Sequence, residues 1–172
     1  MLRLIPVILG ITVHRRGPDA LPSSPFLVLV LLAASECAQL VTLRIAAAPD
    51  DAILVMLLLV VMDFLFVWGV LVVFERRQRF WQTMGAFLGA GVVLNVLSAL
   101  LVDWNQSLQA PADATTAPEV LLQLLQVWSV DIGGFLLSRA IDRHYVLGVV
   151  IMLGYVLLST SVLSTVLFSS GV

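Results

Sequence analysis

The sequence predicts an all-α, polytopic transmembrane helical bundle of five spans. Three observations carry that prediction. Hydrophobic residues make up 60% of the chain and mean hydropathy is +1.07, well above the roughly 45–50% apolar usage of soluble domains. Five apolar stretches each reach the length of about 20 residues that takes a helix across a bilayer core. Arginine also collects on one side when the loops between those stretches are counted in order.

Taken from the start, Met1 to Thr12 is apolar but short, broken by Pro6 and followed by His14-Arg15-Arg16. That run is half of what a span needs and lacks the small-residue cleavage site of a secretory signal. The expectation is a short interfacial helix on the membrane surface with Arg15 and Arg16 among the headgroups. Gly17 to Pro25 holds three prolines and reads as a stiff turn. Residues 1–172 thus form a single integral membrane domain, with 1–25 as its interfacial segment and Pro-rich turn.

The five spans fall at about 26–47, 52–74, 80–102, 119–139 and 145–168, and the linkers are short except the Ala/Thr/Pro/Gln-rich 103–118. The second is the most apolar, with seventeen Leu, Ile, Val or Phe and one charge, Asp63. At about −0.3 to −0.6 kcal/mol for each such residue against about +3 for a central acid, insertion is strongly favoured. The fourth balances near zero: Val120 to Leu137 holds eleven such residues against Asp131, Gln123 and Gln126. Its polar residues are expected to turn inward onto neighbouring helices.

Alternating the loops puts Arg3, Arg15, Arg16, Arg76, Arg77, Arg79, Arg139 and Arg143 on one side and Arg44 alone on the other. The Arg-rich side is expected to be cytoplasmic. The N-terminus is then cytoplasmic and the C-terminus periplasmic. Lysine is absent, a bias of GC-rich bacterial genomes, so the expected location is a bacterial inner membrane.

Three acids lie within the apolar stretches: Glu36 in the first span, Asp63 in the second and Asp131 in the fourth. At 1.5 Å per residue they share one depth to within roughly 3–4 Å, and Asn95 of the third span is close by. The functional reading of this polar cluster is a proton or cation path. The structural reading keeps the acids protonated and hydrogen-bonded to Asn95, Gln39, Gln123 or Gln126. Helix-packing faces are expected at Gly85 and Gly89 in the third span, and at Gly133 and Gly134 in the fourth, where small residues let backbones approach. Gly85–Gly89 suits either a neighbour in the same bundle or a second molecule.

Two basic turns, Glu75 to Arg79 (with Arg76, Arg77 and Arg79) and Ser138 to His144 (with Arg139 and Arg143), orient the chain and meet anionic headgroups. Arg139 and Asp142, three residues apart, are expected to pair. The hydroxyls of Ser159, Thr160, Ser161, Ser164 and Thr165 are expected to bond their own backbone. One cysteine, Cys37, excludes a disulfide framework within the chain, and His14 and His144 form no metal-ligand spacing. Ser138 and His144 make a poor nucleophile–base pair across a helix end. No cofactor, metal, nucleic acid or enzymatic activity is expected.

The stretch Trp128-Ser-Val-Asp131-Ile-Gly-Gly-Phe135-Leu-Leu-Ser138-Arg139 runs on to Gly148 and Gly154-Tyr155. With the short N-terminal segment, the Pro-rich turn and five spans, it resembles the small five-span bacterial inner-membrane proteins of the Yip (Ypt-interacting protein) superfamily. The resemblance implies the architecture and brings no activity or site residue with it. The acidic extension and Asp-Pro motif of the eukaryotic members do not occur in this sequence. The expected function is that of a non-enzymatic scaffold, assembly factor or accessory subunit of a membrane complex. Its partners would be the lipid bilayer and another membrane protein or a second copy. The alternative is a small oligomeric transporter or channel conducting protons or cations through the intramembrane carboxylates.

Overall fold

The computed structural model describes residues 4–47, 52–109, 111 and 114–169, with side chains to Thr165. Arg3 and the two termini lie outside the described residues. Among those described, every regular element is helical: α1 (Leu4–Thr12), α2 (Pro25–Ile45), α3 (Ala52–Val73), α4 (Phe80–Ser107), α5 (Ala117–Ala140) and α6 (Tyr145–Ser169). Single 3-10 turns stand at Pro18–Ala20 and Arg77–Arg79. Helices α2 to α6 are long and apolar enough to cross a membrane, as the sequence predicts.

Local chemistry sets the helix starts. Ser24 caps α2, accepting from the Leu27 amide, with Pro25 in the first turn where its missing N–H costs nothing. Thr116 and Glu119 form a capping box at the start of α5. Helix α4 corrects the expected boundary at residue 102, since it continues to Ser107. Asn105, one turn beyond that boundary, donates to Glu119 Oε1 at 3.4 Å and accepts from Thr116 Oγ1. The capping box of α5 thus fastens the extra turn of α4, and the linker shrinks to 108–116.

Helix α4 is the central element. Helices α2 and α5 pack along it, α6 packs on α5, and α3 touches α4, α6 and α2 more sparsely. One core cluster joins Val28 and Leu31 of α2, Val67 and Leu71 of α3, and Phe80, Met84 and Leu88 of α4. Val67 and Leu71 are the buried residues of α3, and both lie in its second half. That end is fixed further by aromatic contacts of Trp68 and Phe64 with Phe80. The first half of α3 contributes no buried side chain, so α3 closes on the bundle at one end and stands off at the other.

The short N-terminal helix forms as expected. Helix α1 docks along α4. Ile11 is fully buried with Ala86, Ala90, Ile132, Phe135 and Leu136, and Ile8 covers Gly89. Gly89 lies nine residues into α4, about 13 Å from its start. Apolar surface explains the docking. A helix whose buried face is Ile8, Ile11 and Thr12, and whose other face shows Ile5, Leu9 and Val13, has no polar side to present to headgroups.

Gly85 and Gly89 therefore pack within the molecule: Gly85 faces Val28 and Leu21, and Gly89 faces Ile8. Gly133 meets Met152 and Gly134 meets Val149 across the α5–α6 contact.

Candidate functional site

Where α3 stands away from α2 and α4, a cavity of about 220 Å³ opens between the three helices. Helix α2 contributes Ser35, Glu36 and Gln39, helix α3 contributes Asp63 with Met56, Leu59 and Val60, and helix α4 contributes Asn95 with Met84, Phe87, Leu88 and Gly91. Gly91 leaves room there, since a Cβ would stand 3.1 Å from Ser35 Oγ. Asn95 bridges the helices: its Nδ2 donates to the Ser35 carbonyl at 3.2 Å and to Ser35 Oγ at 3.1 Å. Thr42 Oγ1 is shared between the Ala38 carbonyl, at 3.2 Å, and the Asn95 carbonyl, at 3.5 Å.

The two carboxyls of this cavity are held differently. The Tyr155 hydroxyl of α6 donates to Asp63 Oδ1, and its ring stacks on Phe66 at 4.2 Å. Glu36 Oε2 is buried and has no hydrogen-bond partner in the protein. A buried carboxyl oxygen without a partner is costly unless something else satisfies it. Asp63 is therefore anchored by Tyr155, whereas Glu36 Oε2 has no such anchor.

The expected polar cluster divides. Glu36, Asp63 and Asn95 share the cavity, while Asp131 belongs elsewhere. Asp131 accepts from the Tyr145 hydroxyl, and its Oδ2 lies 3.2 Å from His14 Nε2. That is ion-pair distance without hydrogen-bond alignment, so His14 Nε2 makes no hydrogen bond. Depth along a helix axis does not fix direction around it, and Asp131 faces α1 and α6. Gln123 and Gln126, expected to turn inward, are exposed. Along the α5 face of Gln123, Val127, Asp131, Gly134 and Ser138, only Gly134 and Ser138 are buried.

Sequence reasoning missed His14, Ser35, Tyr145 and Tyr155. For the tyrosines a signal existed, because a phenol inside an apolar span has to find an acceptor. Hydroxyls of α6 bond their own backbone, as expected: Ser159 and Thr160 bond the Val156 carbonyl, Ser161 that of Leu157, and Ser164 and Thr165 that of Ser161.

The basic turns meet at one end of the bundle. Arg79 Nη1 donates to the carbonyls of Arg139 and Ala140, each at 3.1 Å, capping the end of α5. Asp142 pairs with Arg79 at 2.9 Å and Arg76 at 3.1 Å, so the expected Arg139–Asp142 pair is replaced by contacts between the two turns. The reason is backbone shape: Asp142 takes a left-handed φ of 53° just past the helix end, which carries its carboxylate off the α5 axis. Arg139 instead lies over the Phe135 ring at 5.6 Å.

The Arg79 hydrogen bond, aided by the charges of Arg79 and Arg76, holds the Asp142 carboxyl below the usual carboxylate range. Its folded-state value is depressed, so its contribution to stability is present above the unfolded carboxylate pKa, about 3.9. That contribution is lost as pH falls through the lower folded value. Asp142→Asn should therefore lose less of its melting temperature than the wild type between pH 6 and pH 3, measured by thermal unfolding in detergent.

No protein family, no curated protein and no solved structure matches this chain. The five-helix membrane architecture therefore rests on the chain's own apolar helices. It is an integral, multi-pass membrane protein by length and composition of those helices.

Proposed function

We propose that the protein binds and moves protons or monovalent cations, with Glu36 and Asp63 as the carboxyls that accept them. The observation that carries this reading is the cavity between α2, α3 and α4, where Glu36 Oε2 is buried without a protein partner. Carboxyls at membrane depth are costly and are kept where they meet protons, ions or each other. Asn95, Ser35 and Gln39 supply neutral polar atoms beside them. Among the described residues no group of three or more His, Cys, Asp or Glu converges to hold a multivalent ion.

A hydrophobic carbodiimide tests the assignment, since it modifies protonated carboxyls in apolar surroundings. Mass spectrometry should find the adduct on Glu36 in preference to the anchored Asp63. Protection by millimolar Na⁺ or K⁺ would identify a cation as the occupant, and sensitivity to pH alone would identify the proton. Absence of an adduct on Glu36 would contradict the reading.

The second reading is an accessory subunit or assembly factor, and the first half of α3 favours it. With no buried side chain before Val67, that stretch has room for a helix of another membrane protein or of a second copy. Recovery of a stoichiometric partner from native membranes would support it. In either case we place the protein in a bacterial inner membrane with its Arg-rich end cytoplasmic, as a non-enzymatic, Yip-like bundle.

A further inference from the structure

We infer that a cavity at the Arg-rich end of the bundle binds the headgroup of one phospholipid carrying a primary ammonium on its phosphodiester, as an ethanolamine lipid does. The cavity measures about 460 Å³, within the range of about 300–1,000 Å³ usual for small-molecule sites. Three elements frame it: the turn at Pro18–Ala20, the start of α4 and the end of α5. Because one span begins here and another ends, the cavity stands at headgroup level. Trp81, next to Gln82 in the chain, is exposed, as an aromatic residue at that depth should be.

The walls are set without a ligand. Gln82 Nε2 donates to the Leu21 carbonyl at 3.1 Å, and buried Pro18 and Leu21 seat the turn on the bundle. Arg79 Nη1 ties the start of α4 to the Arg139 and Ala140 carbonyls. A site preformed in this way loses little binding energy to ordering itself.

Charge selects the ligand. The lining holds two cations, Arg79 and Arg139, and two anions, Asp19 and Asp142. Arg79 and Asp142 neutralise each other in their 2.9 Å pair. Among the described residues neither Asp19 nor Arg139 makes an ion pair. A Cβ on Gly17 would collide with Asp19 Oδ1 and lie 3.7 Å from Arg139 Cβ, so the carboxylate stands near the stem of Arg139 while the guanidinium lies over Phe135. One uncommitted cation and one uncommitted anion in a neutral cavity match a ligand that carries both charges. The phosphodiester goes to Arg139, with the nitrogens of Arg79 other than Nη1 as further donors. The ammonium goes to Asp19, with the Gln82 amide oxygen as a neutral acceptor. An anionic headgroup without an amine would satisfy Arg139 but set its charge beside Asp19 and Asp142. A quaternary ammonium has no N–H to give, and among the described residues no aromatic ring lines the cavity to hold one by its face.

Native mass spectrometry of the full-length protein in mild detergent tests this, with phosphatidylethanolamine, phosphatidylcholine and phosphatidylglycerol of identical acyl chains titrated separately. Wild type should bind a first phosphatidylethanolamine about fivefold more tightly than either of the others, the upper scale of one exposed ion pair. Asp19→Asn should abolish the preference over phosphatidylglycerol, whereas Arg139→Gln should weaken all three lipids, which share the phosphate. Both side chains are exposed and Arg79 keeps its bonds, so both variants should melt close to wild type. Equal affinities in the wild type, tighter binding of phosphatidylglycerol, a preference that survives Asp19→Asn, or unchanged affinities in Arg139→Gln would overturn the inference. Displacement of the lipid by an equimolar amount of glycerophosphoethanolamine would also overturn it, in favour of a soluble phosphoamine.

Discussion

Gly148→Ala is expected to destabilise the protein by about 3 kcal/mol or more, the upper range for overpacking a tight contact. A Cβ at this position would stand 2.1 Å from the Gly134 carbonyl oxygen and 2.9 Å from the Ser138 amide nitrogen. Those are backbone atoms of α5 and cannot swing aside. Gly134→Ala should act similarly, its Cβ falling 2.8 Å from the Val149 Cα. Helices α5 and α6 approach here backbone to backbone, as small residues allow in membrane bundles. Gly133→Ala should cost less, because its Cβ meets the flexible end of Met152. Gly69→Ala and Gly154→Ala, with nothing within 4 Å, should change stability by less than about 1 kcal/mol. Unfolding in mixed micelles orders the five variants. Equal effects at Gly148 and Gly154 would contradict the α5–α6 contact.

Asp63→Leu should cost about 1–3 kcal/mol, because it leaves the hydroxyl of buried Tyr155 without its acceptor. Asp63→Asn keeps an acceptor oxygen and should stay within about 1 kcal/mol of wild type. Adding Tyr155→Phe should rescue part of the Asp63→Leu loss, since the unpaired hydroxyl goes with it. Thermal unfolding of the two single variants and the double variant in detergent measures the coupling. Additive losses would mean that the Tyr155–Asp63 bond contributes nothing. The functional expectation runs the other way: Asp63→Asn folds but cannot exchange a proton, so it should abolish transport while remaining stable.

Sequence made the axial position of each feature legible and left its direction around the helix open. Five spans follow from apolar length, and alternation puts the Arg-rich turns on one side, but the contacts of Arg76 and Arg79 with Asp142 appear only in the structure. Glu36 and Asp63 do line one cavity, yet the depth counted along each span placed Asp131 with them when it faces His14 and Tyr145. In a soluble helix the apolar stripe would reveal the inward face. In a span surrounded by lipid, both faces are apolar and that signal vanishes. The docking of α1 was hidden for a related reason, because nine residues cannot span and nothing in Leu4–Thr12 distinguishes a groove from a membrane surface. Gly133 and Gly134 were readable as a packing face; their counterpart Gly148, 14 residues on, gains its importance only from the α5–α6 register.

Proteoliposome flux is the most direct test of the carboxylate cavity. Purified wild-type protein would be reconstituted with a trapped pH indicator and challenged with a proton gradient, with and without Na⁺ or K⁺. Transport through Glu36 and Asp63 predicts protein-dependent flux that Glu36→Gln and Asp63→Asn each abolish while melting close to wild type. Flux indistinguishable from empty liposomes, or unchanged in both variants, would contradict it and favour the accessory-subunit reading.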